Sequence, residues 1–282
     1  MATYHYRLLN VFALDGKPLS GNPLCVFEDG RGLNTQTMQA LALQFNLSET
    51  TFILPSDIAT AQVRIFTPEF EMPFAGHPTL GTAQVVRQLH NTGNAITLQM
   101  QAGVIPVSAQ EDVWTLKANA PTSHAVTAKA EQLAQMLGLQ YDDIGAAPLW
   151  VNTGSEQLII PLNSITAVRR CVPRLELVLQ HAAIIEPRCL IYVWSHRDDG
   201  DIESRFFFAK GGSLAEDPAT GSACANLGGW FLAKQATLPL SKVIHQGERV
   251  QRPSLLNLQV DAQRQIHVSG RVLDLGRGVI NL

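Results

Sequence analysis

Two short stretches, half a chain apart, hold the residues best suited to chemistry in this 282-residue sequence. Phe66-Thr-Pro68 leads into Pro73-Phe-Ala-Gly-His-Pro-Thr-Leu-Gly81, and Glu216-Asp-Pro-Ala-Thr-Gly-Ser-Ala223 has the same build. A shift of 140 residues lays Phe66 on Phe206, Ala75 on Ala215, His77 on Asp217, Pro78 on Pro218, Gly81 on Gly221 and Thr82 on Ser222. In each stretch a titratable residue precedes a proline at the first turn of an expected helix, where a missing N–H costs little. The residues that follow are small and leave backbone N–H groups unshielded. Two such helix starts facing one cleft would bind a substrate carboxylate through N–H groups and dipoles, without an arginine. The same spacing also fits Asp217 and Ser222 as plain helix caps in a glycine-containing turn. His77 can exchange protons near neutrality. A lone histidine also fits a structural residue bonded to backbone, and the Asp217 counterpart tips His77 toward function. Glu49, in Leu47-Ser-Glu-Thr-Thr-Phe52, sits on an apolar-flanked connection between a helix and a strand. Burial there would raise its pKa and make it a usable carbon base, whereas a protonated His77 nearby would lower it. An ordinary surface glutamate at a helix end has the same spacing.

Other chemistries find no support. The chain has no G-x-G-x-x-G, no phosphate-binding Walker loop and no H-E-x-x-H, and Gly221-Ser222 lacks the glycine spacing of a hydrolase elbow. Its eight histidines are scattered without metal-ligand spacing, so no metal is expected. The cysteines, at 25, 171, 189 and 224, form no C-x-x-C pair and read as free, mostly buried thiols. Lys and Arg total 21 against 24 acidic residues, a balance of -3 that argues against a nucleic-acid partner. No apolar run reaches the length of a membrane span, and the opening Met-Ala-Thr-Tyr-His-Tyr-Arg lacks a signal-peptide layout. The expectation is a soluble, cytoplasmic protein.

The elements that must position these residues read as a mixture. A strand near Tyr6–Ala13 runs through a turn-rich loop into Leu24–Phe27. Asn34 and Thr35 can cap a helix whose Met38, Leu41, Ala42 and Phe45 share one face. Strands follow at Thr51–Leu54 and Gln62–Phe66, then a helix from about Thr79 to Leu89 and alternating strands to Leu116. The second half shows helices at Ala130–Leu137 and about Thr220–Ala233. Strands fall near 158–160 and 190–193, and three separate ones close the chain at 256–260, 266–268 and 272–275. Strand runs broken by isolated helices predict an α+β protein. Its length suits two domains of about 140 residues, and the half-length repeat suggests pseudo-duplication with a site between the halves.

Ser20-Gly-Asn-Pro23, Ser48-Glu-Thr-Thr-Phe52 and the two long stretches, in this order, resemble the phenazine-biosynthesis PhzF-like isomerase family. The resemblance covers essentially the whole chain. It implies the diaminopimelate-epimerase-like fold: two pseudo-symmetric domains, each a mostly antiparallel mixed sheet wrapped around a central helix. The domains would be 1–118, with 271–282 as a candidate completing strand, and 119–270. Carried over by residue, the family's catalytic glutamate falls on Glu49, its histidine on His77 and its aspartate on Asp217. Its substrate-carboxylate contacts fall on Gly76, Gly221 and Ser222. The resemblance further implies a cofactor-independent isomerase moving a proton between carbons of a small carboxylic acid, as a homodimer. In the characterised relative that acid is dihydro-hydroxyanthranilate. Phe208-Ala209 departs from the family, many of whose members carry a proline there. Two other readings stand beside it: a racemase or epimerase of the same fold using two opposed cysteines, and a small-acid binding protein without catalysis.

Overall fold

Asn34 starts the first helix, α1 (Thr35–Phe45), by accepting the Thr37 N–H on its side chain, and Asn46 ends it in the left-handed region. These are the capping and stop signals expected of asparagine at each position. The computed structural model describes residues 1–185 and 188–282. It divides into two units, Met1–Lys117 with Ser269–Leu282, and Ala118–Val268.

In the first unit β1 (Thr3–Val11) and β2 (Asn22–Phe27) precede α1, and β3 (Glu49–Leu54), β4 (Ala61–Phe66) and β5 (Glu71–Met72) follow it. Then come α2 (Gly76–His90), β6 (Ala95–Met100), β7 (Gly103–Gln110) and β8 (Val113–Lys117). Antiparallel pairs join β1 to β2, β3 to β4, β4 to β5, β6 to β7 and β7 to β8, while β2–β3 and β4–β6 are parallel. A parallel pair needs a crossover, and α1 and α2 supply the two. One face of the strands packs on α1 through Cys25, Phe27, Met38, Leu41, Phe52 and Phe66. The strands wrap α2, which touches β1, β2, β3, β6 and β8 and is buried without a break from His77 to Val86.

The second unit contains β9 (Thr122–Ala125), α3 (Ala130–Leu137), β10 (Leu149–Asn152), β11 (Glu156–Pro161), α4 (Ile165–Arg170) and α5 (Leu175–Ala182). It continues with β12 (Ala183–Ile185), β13 (Arg188–His196), β14 (Ile202–Lys210), β15 (Ser213–Asp217), α6 (Gly221–Ala233), β16 (Leu240–Gln246) and β17 (Ser254–Val260). Its pairings repeat those of the first unit. β10–β11, β13–β14, β14–β15 and β16–β17 are antiparallel, while β11–β13 and β14–β16 are parallel. Thus β10, β11, β13, β14, β15, β16 and β17 match β1 to β7 in order and sense, and α6 takes the place of α2. Helices α3 to α5 cover the far face through Leu133, Met136, Val168 and Val178.

One long strand, β18 (Ile266–Asn281), ends the chain, and its residues from Thr3↔Asn281 to Val11↔Val272 pair with β1. Ser269-Gly270 reads as a break in sequence, yet the strand runs through it. Three expected strands are therefore β17 and one continuous β18.

The central helices approach their sheets closely because glycine lets them. A Cβ on Gly229 of α6 would lie 2.7 Å from Val151 Cγ1 and 2.8 Å from Pro121 Cβ. Alanine would gain about 1 kcal/mol of helix propensity. Overpacking against a β-branched side chain and a proline ring costs about 1–3 kcal/mol, and neither neighbour can bend away. Gly229→Ala is therefore expected to lower stability by about 1 kcal/mol, seen as a lower denaturant midpoint.

Candidate functional site

Glu49 is the first residue of β3, paired in register with Leu24 of β2, rather than part of a loop. Its backbone is thus fixed by the parallel ladder, and its side chain is mostly covered. His77 is the second residue of α2, only 5% exposed. Its Nδ1 lies 3.3 Å from Glu49 Oε2. Burial lowers the imidazole's pKa to about 3, overcoming the opposing pull of the Pro23 carbonyl. The ring is therefore neutral at ordinary pH, and no imidazolium faces Glu49. Pro23, the second residue of β2, follows the turn at Ser20-Gly21, where Gly21 takes φ +80 and a Cβ would meet the Val11 carbonyl oxygen at 2.5 Å. Glycine at this point lets the turn press on the end of β1 and bring Pro23 to the histidine.

Gly76 opens α2, and its N-cap, Ala75, carries no side-chain acceptor for the first N–H groups. Pro78 stands third in the helix rather than first, so α2 begins earlier than the proline suggests. The N–H groups of the first turn have no intrahelical partner, and proline is accommodated anywhere among them.

In the second unit Asp217 is the last residue of β15, opposite Phe206. Although His77 and Asp217 align in sequence, His77 lies inside a helix and Asp217 at a strand end, four residues before α6. Asp217 Oδ2 accepts a hydrogen bond from the Thr220 hydroxyl at 2.5 Å. Gln246 Nε2 donates to the Asp217 main-chain oxygen at 2.9 Å. Gly221 and Ser222 are the first residues of α6, and Ser222 Oγ accepts from Gln157 Nε2 at 2.9 Å. One helical turn on, Asn226 receives the Thr153 N–H and hydroxyl and donates to the Ser155 carbonyl, fastening the β10–β11 turn to the helix.

The expected residues thus form two groups: Glu49, His77 and Gly76 in the first unit, and Asp217, Gly221 and Ser222 in the second. Gln157, Thr220, Asn226 and Gln246 were not expected. Polar residues inside otherwise apolar strands, as in Gln157-Leu-Ile-Ile160, were the available signal for the glutamines. Gln157 is only 1% exposed, so removing its acceptor strands a buried amide. Ser222→Ala is expected to lower stability by about 1–3 kcal/mol and to weaken acid binding by roughly 1 kcal/mol. Chemical denaturation and a binding titration read the two effects separately.

All four cysteines are buried free thiols. Burial pushes Cys171 up to about 12 and raises Cys25, Cys189 and Cys224 as well. None is poised as a thiolate base. Among the described residues no cluster of three or more His, Cys, Asp or Glu could hold a metal ion. No helix among them is long and apolar enough to cross a membrane.

Comparison with known proteins shows a family and a shared fold. The family described as phenazine biosynthesis-like protein (PhzC-PhzF) matches residues 9–281. A protein of Pasteurella multocida named as an uncharacterised isomerase is 41% identical, covering 99% of this chain and 94% of its own. The trans-2,3-dihydro-3-hydroxyanthranilate isomerase of Pseudomonas chlororaphis is 32% identical, covering 99% of this chain and all of its own. The crystal structure of a phenazine biosynthesis protein of the PhzF family from Bacillus anthracis superimposes with a TM-score of 0.87 over 100% of both chains, at 23% identity. That likeness shows a shared fold.

Proposed function

This chain belongs to the phenazine biosynthesis-like protein family and is an isomerase, and from that membership we propose that it moves a proton between carbons of a small unsaturated carboxylic acid without a cofactor. The observation that carries the reading is the contact in the first unit between Glu49 and a buried, neutral His77. A carboxylate beside a neutral imidazole, largely out of water, is suited to taking a proton from carbon.

Glu49 removes a proton from a carbon next to the substrate's double bonds. The electron pair left behind spreads through the π-system, and Glu49, having traded its acid proton with solvent, returns a proton at another carbon. No atom or electron is gained or lost, so no redox partner is required. His77, neutral and with its single ring N–H held by the Pro23 carbonyl, positions the substrate beside the glutamate during the exchange. Gly76 presents its N–H at the start of α2, and Gly221 and Ser222 present theirs at the start of α6. Each is suited to the substrate's acid group, where hydrogen-bond donors are already aimed before charge develops. Asp217 orients the substrate or relays the proton. The active species is proposed to be a homodimer.

A cysteine-type racemase needs an opposed pair of reactive thiols, and the buried, weakly acidic cysteines speak against it. The test is incubation with trans-2,3-dihydro-3-hydroxyanthranilate, and then with other cyclic unsaturated acids, in heavy water. Catalytic deuterium entry at a ring carbon is the expected result. Binding without any exchange across the series would mean a non-catalytic acid-binding protein.

A further inference from the structure

We propose that Gln246 and Thr220 form a hydrogen-bond relay of fixed direction that positions the Asp217 carboxylate, an inference that rests on the role given to Asp217 above. The direction follows from one contact. Gln246 Nε2 lies 2.9 Å from the main-chain oxygen of Asp217, and a carbonyl oxygen can only accept. The amide must therefore present its NH₂ on this side. The same NH₂ donates to Thr220 Oγ1 at 3.1 Å, while Gln246 Oε1 accepts the Thr220 N–H at 3.4 Å. With its oxygen already accepting, the threonine hydroxyl turns its single proton onto Asp217 Oδ2, at 2.5 Å. A hydroxyl so close to a carboxylate makes a charge-assisted bond, roughly twice as strong as a neutral one.

A second observation shows that this hydroxyl has given up another task. Thr220 is the N-cap of α6, the position at which a threonine oxygen ordinarily accepts an N–H of the first helical turn. It makes no such bond. The hydroxyl serves the aspartate instead.

The third observation is the close approach that brings the glutamine into range. Gly247, next to Gln246, has φ +83, and a Cβ there would lie 2.2 Å from the Arg252 carbonyl oxygen and 2.5 Å from that of Pro218. Only glycine allows the end of β16 to press on the turn after Asp217. Thr220 is 9% exposed and Gln246 2%, so bulk water has little access to compete for these bonds. Both are positioning residues, acting on the substrate only through Asp217.

The test uses the full chain with Thr220→Val, which keeps shape and loses the hydroxyl, and Thr220→Ser, which keeps the hydroxyl. Gln246→Met provides a second break in the relay should Thr220→Val not fold. Exchange into trans-2,3-dihydro-3-hydroxyanthranilate is followed in heavy water, and the carbon-13 shift of the Asp217 carboxyl group is read without substrate. Thr220→Val is expected to lose about tenfold or more in kcat with KM little changed, and Thr220→Ser to recover most of it. The carboxyl shift should move in Thr220→Val and Gln246→Met and return in Thr220→Ser. Parent-like turnover in Thr220→Val, or a loss that serine does not restore, overturns the relay. If the parent exchanges no acid at all, the isomerase reading fails, and the carboxyl shift alone decides the relay: unmoved, it sinks it.

Discussion

Glu49→Gln is expected to slow proton exchange by about 10²-fold or more while binding of the acid survives. Glutamine keeps the shape of glutamate and loses the basic oxygen, so the substitution isolates proton transfer from packing. The first residue of β3 has its backbone set by the ladder with β2, and this favours an unchanged position for the new side chain. A fall in kcat at constant KM is the expected pattern. Glu49→Asp, which withdraws the carboxylate by one methylene while leaving it basic, should fall between parent and Gln. If Glu49→Gln exchanges deuterium as fast as the parent, the base lies elsewhere and the assigned roles are wrong.

A second large effect lies in the acid response of the fold. In the unfolded chain His77 takes up a proton below its ordinary pKa of 6.5, whereas in the folded protein it stays neutral down to about 3. Between these values the unfolded state binds a proton that the folded state does not. Stability therefore falls as pH falls through this window, by up to about 1.4 kcal/mol per pH unit from this residue, and the contribution is flat above 6.5. Replacing His77 by Gln removes the titrating group and should flatten the slope by that amount. Chemical denaturation of both proteins at several pH values between 4 and 7.5 measures the difference. Parallel slopes would mean that His77 protonates in place.

Local signals in the sequence were strong where one element carried its own instructions. The Asn34 cap and the spacing of Met38, Leu41, Ala42 and Phe45 define α1, and Gly138 ends α3. Helices α4 and α5, of six and eight residues, escaped notice because α4 is too short to display a period and α5, unlike α3 with Gly138, has no glycine stop after it. Their helicity comes from packing on β13. The duplicated stretches led to the central helices, but the 140-residue shift concealed a difference in local structure between His77 and Asp217. The partners that hold the second group are further from view. Gln157 meets Ser222 across 65 positions and Gln246 meets Thr220 across 26. Such pairs are set by strand pairing, which no local pattern encodes.

The four covered thiols have a practical consequence. A maleimide added to the native protein finds no sulfur to attack, so alkylation proceeds only as fast as the structure opens. Cys25 belongs to the first unit, and Cys171, Cys189 and Cys224 to the second. Mass spectrometry of peptides taken at intervals would therefore time the breathing of each unit separately, with its own unaltered cysteines as the clock.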